Sequence, residues 1–334
     1  MTRISQQAGR YFETLTTRFG DGWNRFWFAP RDPATLGMLR ILTGCVALYF
    51  LATFSPDLVR FFGPQGLLPV ETVRNLAGPD SFRPSVLQYV SAPSELWAVH
   101  VAGLVIVGLF TAGVFTRVTS VLALVVILSY IHRATMLTGP CEPILAMTIF
   151  YLCLGPAGAR YSVDAWRRRR RAAQHGGVEE TLEIAPSTSA TIATRLLQLH
   201  VSLVYVMMGI AKLADPTDVW WLGEAMWWLA ARPDSRLVDV TWLLADHPYV
   251  LNGWTHAQVI FELAFGLLIW NRLARPLLVV VAAGMWLLLA LVSGLPLFCL
   301  MMFIASLAFV SPAVVLTLTE APAVRPGEVP AEAI

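Results

Sequence analysis

One residue of this chain stands apart by type. Of its 24 basic residues only Lys212 is a lysine, and the rest are arginines. Lys212 closes the apolar stretch Val201-Ser-Leu-Val-Tyr-Val-Met-Met-Gly-Ile-Ala-Lys212. A desolvated ammonium can lose its proton and act as a base, whereas a guanidinium effectively cannot. An ionisable group inside a membrane segment is by default a candidate for function. A lysine near the end of its apolar run also suits a second role, with its amine snorkelling to the membrane surface.

Glu262 lies in Trp254-Thr-His-Ala-Gln-Val-Ile-Phe-Glu-Leu-Ala-Phe-Gly266. A carboxyl group in an apolar span is costly unless paired or protonated. Apart from His200, Lys212 is the only embedded cation that Glu262 can meet in the second half of the chain. A Lys212–Glu262 pair is therefore expected, either purely structural or holding a base in place. Tyr205 and Met208 precede Lys212 by seven and four residues, so all three share a helix face. The Tyr205 hydroxyl can bond the amine or a ligand; the reading preferred from the residues is that it fills a polar gap. His256 and Gln258 lie on the span of Glu262, with His256 off its tight face. His200 is twelve residues before Lys212, about 18 Å along a helix, and reads as a packed, hydrogen-bonded histidine, as does His100. His132, Arg133 and Glu142 flank a short loop. Together with Lys212 and the tryptophan-rich segment 218–231, which contains Trp220 and Trp221, they outline a candidate pocket at the outer end of a bundle. The alternative is an ordinary charged rim. There is no phosphate-cradling glycine loop, no HExxH and no other metal signature, so no metal is expected. The cysteines lack zinc-ligand spacing, and a structural disulfide framework is not expected.

The elements that must position these residues are membrane helices. Hydrophobic residues make up 56% of the chain and charged residues 14%, against about half and a quarter in soluble domains. The chain reads as an all-α, polytopic transmembrane bundle of about eight spans with added interfacial helices. The spans fall at roughly 36–55, 95–115, 118–133, 142–157, 194–213, 254–270, 274–293 and 296–312. Residues 1–32 read as an interfacial amphipathic segment, broken in two at Gly20-Asp-Gly22, with no cleavable signal pattern. Residues 218–231 read as a surface or re-entrant helix because tryptophan favours the interface. Arginine placement orients the bundle. Eight spans put the N-terminal arginines, Arg117, Arg167 to Arg171 and Asn271-Arg-Leu-Ala-Arg275 on one side, which predicts both termini to be cytoplasmic in a multi-pass cell-membrane protein. Lys212 then lies near the outer end of the fifth span. The run Arg167 to Arg171 reads as an orientation and lipid-headgroup signal rather than a nucleic-acid site. The loop 165–192 is expected to be flexible and the tail 313–334 disordered.

Several segments, in order, resemble a known family. They are Phe62-Gly-Pro-Gln-Gly-Leu-Leu-Pro69, Gly113-Val-Phe-Thr-Arg117, Tyr161-Ser-Val-Asp164, Met208-Gly-Ile-Ala-Lys-Leu213, Trp220-Trp-Leu-Gly-Glu-Ala225, Glu262 and Asn271-Arg-Leu-Ala-Arg275. Together they look like the HTTM domain, the membrane region that bacterial proteins share with the vitamin K-dependent gamma-carboxylase. The likeness covers about residues 33–312. It implies that Lys212 occupies the position of the base that deprotonates vitamin K hydroquinone, and it suggests reduced vitamin K or another quinol as cofactor. It also implies a peptide substrate or a small thiol–disulfide oxidoreductase as partner, while composition and the arginine run point to membrane lipids and no nucleic acid. The chain departs from the family in places. Cys141-Glu142 falls where the carboxylase has a functional histidine, Met285 where many relatives have histidine, and the carboxylase's large lumenal domain has no counterpart. These departures argue against propeptide-directed carboxylation and leave quinol binding or oxygen-dependent quinol epoxidation. A non-enzymatic membrane accessory or immunity-type protein that binds a lipid or peptide is the alternative. A transporter ranks lowest, for want of repeat symmetry.

Overall fold

The structure is a computed structural model of the whole chain, and it describes residues 3–77, 83–174, 184–232 and 236–319. Fifteen α-helices run through these residues, with no β-strand; one isolated antiparallel bridge joins Arg31 and Ser187. In chain order they are α1 (Arg3–Phe28), α2 (Ala34–Ala52), α3 (Leu58–Phe62), α4 (Val70–Ala77), α5 (Pro93–Ala112), α6 (Thr116–Arg133), α7 (Cys141–Leu154) and α8 (Val163–Gln174). The second half holds α9 (Thr188–Leu213), α10 (Ala225–Ala230), α11 (Thr241–Asp246), α12 (Pro248–Leu268), α13 (Ala274–Ser293), α14 (Pro296–Ser306) and α15 (Pro312–Thr319).

Every predicted span is helical. Five helices, α2, α5, α6, α9 and α13, are long and apolar enough to cross a membrane. A sixth is reached if α14 and its 3₁₀ extension to Phe309 count as one span with α15, across a bend of 108°. At 14 residues α7 is shorter, and α12 carries Asn252, His256, Gln258 and Glu262 among its 21 residues, which lowers its apolarity. The side-chain distribution suits a lipid surround. Val101, Val105, Val121, Val125, Leu203, Met207 and Leu287 face outward. Arg40, His100, Arg133, Gln198, Gln258 and Glu262 are buried. Water favours the reverse arrangement.

Three expectations are corrected. The segment before α2 is one continuous helix rather than two pieces. Each glycine costs a helix about 1 kcal/mol without breaking it, and the Phe19–Trp23 ring contact bridges the weak point at i,i+4 spacing. The loop 165–192 begins as helix α8. Ser162 caps it by accepting the Ala165 amide at 2.9 Å, and arginine is a strong helix former. Residues 175–183 of that loop lie outside the described residues. The tail begins as helix α15, and 320–334 lie outside the described residues. The tryptophan-rich segment holds the short helix α10 after an irregular turn with Asp218 and Gly223 at positive φ.

The first half packs in sequence, α2 on α5, α5 on α6 and α6 on α7; the second half rests on the α9–α12 and α13–α14 pairs. Contacts of α7 with α9 and α14 join the halves. The α9–α12 pair packs closely because two glycines face the partner helix. A Cβ on Gly209 would come within 2.7 Å of the Leu263 side chain, and one on Gly266 within 2.8 Å of the Ser202 carbonyl oxygen. Small residues at such crossings let helix backbones approach.

Candidate functional site

The close approach of α9 and α12 sets the reach of Lys212. Ser187 starts α9 by accepting the Ala190 amide at 3.1 Å, and the helix then runs 26 residues to its last turn. A cation there is also favoured by the helix dipole. Lys212 Nζ lies 2.6 Å from both Glu262 oxygens. The Glu262 side chain is fully buried and that of Lys212 is 17% exposed. The expected pair is thus present. Gln258, one turn before Glu262 on α12, donates its Nε2 to Glu262 Oε1 at 2.9 Å.

The loop after α9 closes over the amine. Trp220 sets its ring face 5.1 Å from Lys212 Nζ, a cation–π contact. Trp221 donates its indole N–H to the Leu213 carbonyl at 2.8 Å, capping the end of α9. His256 faces the Asn252 carbonyl at 2.8 Å and the Trp221 carbonyl at 3.2 Å, pinning the loop to α12. Asp215 turns the chain, and the Thr217 hydroxyl and amide hold its carboxyl below the ordinary carboxylate pKa.

Two buried polar atoms on α12 lack partners among the described residues. Gln258 Oε1 is buried without a donor, and the Trp254 indole N–H without an acceptor. Trp254, Gln258 and Glu262 recur every fourth residue, so they form one stripe on α12. A buried unpaired polar atom costs about 1–3 kcal/mol. An orphan acceptor and an orphan donor on one stripe match a ligand with a hydroxyl or carbonyl oxygen. The i, i+4, i+8 spacing was the sequence signal for Trp254, and the reading from sequence missed it.

Other candidates are placed elsewhere. Tyr205 fills a polar gap: it accepts the Trp286 indole N–H at 2.5 Å, bonds Ser306 at 2.8 Å and stacks on Phe265 at 4.0 Å. It does not bond the amine. Sequence alone did not point to Trp286 or Ser306. Arg133 is fully buried, lying 5.8 Å from the Phe62 ring centroid and donating to the Phe62 carbonyl at 3.4 Å. His132 bonds the Pro84 carbonyl at 2.7 Å, and Glu142 accepts the Gly139 amide at 2.9 Å. None of these three contacts includes Lys212. His100 bonds Ser55 and Tyr130, and His200 bonds Tyr151, as packed histidines do. An apolar groove of about 300 Å³ between α13 and α14 is lined by Trp286, Cys299 and Phe303 rather than by Lys212. Among the described residues no group of three or more His, Cys, Asp or Glu side chains could hold a metal.

The chain matches no protein-family model, no curated protein and no solved structure.

Proposed function

We propose that the chain is an eight-span cell-membrane protein with both termini cytoplasmic, in which Lys212 is the base of a quinol-using reaction. The observation that carries this reading is the Lys212–Glu262 pair, formed by the chain's one lysine, on the same α12 stripe as two orphaned polar atoms. Reduced vitamin K or another quinol supplies an acidic hydroxyl and, with oxygen, the epoxide-forming chemistry of the carboxylase family that the sequence resembles. Gln258 Oε1 and the Trp254 N–H are the groups that would hold its oxygens. With one proton fewer than in the ion pair, Lys212 Nζ accepts the hydroxyl proton, and Glu262 neutralises the ammonium that forms. Trp220 shields the amine from water, which strengthens these interactions.

Purified protein given a reduced naphthoquinone, oxygen and bicarbonate, with mass spectrometry of the quinone, tests the proposal. Wild type is expected to yield epoxide and Lys212→Arg none. No epoxide from folded wild type would turn us to the second reading, a membrane accessory protein that binds a lipid or peptide. One observation favours that reading: both Glu262 oxygens already engage the amine, so the pair suffices as a tie between α9 and α12.

A further inference from the structure

At the opposite end of α9 three arginines from three elements converge. Arg195 lies 17 residues before Lys212, about 26 Å along the helix, close to the ~30 Å of a hydrocarbon core. The two sites therefore lie toward opposite ends of α9. The Arg195 guanidinium lies 4.2 Å from the Phe26 ring centroid of α1 and 5.9 Å from that of Trp270, in the turn between α12 and α13. It donates to the Phe26 carbonyl at 3.3 Å and to Gln198 at 3.0 Å. Arg275 comes to the same turn, donating to the carbonyls of Ile269 at 3.2 Å and Trp270 at 3.4 Å. Arg31 is fixed next to the start of α9 by its backbone bridge to Ser187, with bonds of 3.3 and 2.9 Å. Burial, and then the charge of Arg275, push the Arg31 pKa below the ordinary arginine value.

Three half-buried cations are thus gathered with no carboxylate among the described residues to offset them. The nearest acid in sequence, Asp32, is committed to Arg160 at 2.8 and 2.6 Å. Among the described residues, Arg195 and Arg275 each keep a terminal nitrogen that bonds no group, and the Arg31 guanidinium bonds none. Like charges at one place destabilise each other unless an anion joins them. Guanidinium forks match phosphate oxygens. Trp270 is an aromatic residue of the kind that settles at the headgroup level.

We infer that Arg31, Arg195 and Arg275 form a binding site for the phosphate of an acidic phospholipid. This rests on α9 crossing the membrane and not on any role for Lys212, so a failure of the quinol assay leaves it standing.

The experiment is native mass spectrometry of the full chain, released from nanodiscs of phosphatidylcholine mixed with phosphatidylglycerol. Wild type is expected to retain phosphatidylglycerol in preference to phosphatidylcholine. Arg31→Gln, whose side chain makes no bond among the described residues to lose, should weaken that retention roughly tenfold, the equivalent of one charged hydrogen bond. The triple change Arg31→Gln, Arg195→Gln, Arg275→Gln should abolish the preference. Arg74→Gln, on the exposed face of α4, should leave it intact. Unfolding temperatures in pure phosphatidylcholine check that each variant folds. Equal retention of both lipids by wild type, or an undiminished preference in folded Arg31→Gln, would overturn the inference. Displacement of the lipid by inorganic phosphate, but not by chloride at matched ionic strength, would overturn the lipid assignment in favour of a free anion.

Discussion

Two buried cations in the two halves of the molecule are satisfied in opposite ways. In the first half Arg40 is fully buried on α2, and its guanidinium gathers the carbonyls of Ala157 at 2.6 Å, Arg160 at 3.5 Å and Tyr161 at 2.5 Å. Among the described residues no carboxylate bonds it. Its rigid fork closes the turn between α7 and α8 as a fixed clamp. In the second half Lys212 meets a carboxylate on a neighbouring helix and keeps a little exposure. A guanidinium held by carbonyls has no protonation chemistry to offer, because its charge is permanent. An amine held by a carboxylate can change its proton count while its partner balances the charge. The contrast explains why arginine serves as the clamp and lysine as the candidate base.

The contrast can be broken at either end. The largest effect is expected from Arg40→Leu, which orphans several buried carbonyls at once and should cost about 3–5 kcal/mol, read as a loss of folded protein in size-exclusion chromatography. Next come Lys212→Met and Glu262→Leu. Each strands one charge of the pair and should cost roughly 3 kcal/mol, the low end for a buried pair because Lys212 is partly exposed, while the double variant recovers most of the loss. Arg40→Leu offers no such partner for rescue, so recovery in one case and not in the other is what separates a pair from a clamp. The smallest effect tests a carboxylate at the clamp's own end of the molecule. Asp164 accepts the amides of Phe115 at 3.0 Å and Thr116 at 2.9 Å, capping α6 from outside. Burial opposes its charge, but those amides, the Thr116 hydroxyl and Arg168 outweigh burial and hold its pKa below 3.8. A carboxyl depressed by folding contributes stability above its unfolded pKa and loses it as pH falls through the lower folded value. Asp164→Asn should therefore cost up to about 1 kcal/mol at neutral pH and flatten the acid limb below about pH 4, measured by unfolding across pH.

Much of this was legible in the sequence. Helix positions followed from apolar runs bounded by Gly, Pro and arginine, and the Lys212–Glu262 pair followed from the scarcity of embedded charge. Helix α8 was masked because a run of arginines reads as solvated loop, though arginine favours helix and Ser162 supplies a cap. Gly20 and Gly22 were read as a break because local propensity was weighed without the aromatic pair across them. The packing of Arg133 on Phe62 could not be seen, since it depends on tertiary contacts, which one-dimensional spacing does not encode. Gly209 and Gly266 carried a faint small-residue signal whose meaning needed both helices at once.

The two members of the pair are 50 residues apart in the chain. At synthesis rates of about 5–20 residues per second, Glu262 leaves the ribosome roughly 3–10 s after Lys212. For that interval the nascent chain must present an uncompensated ammonium to the insertion machinery. A place in the final turn of α9 lets the amine wait at the lipid–water boundary, and the arrival of α12 then draws it inward. Biogenesis and chemistry thus make the same demand on this residue, a cation that can be left in water first and taken out of it later.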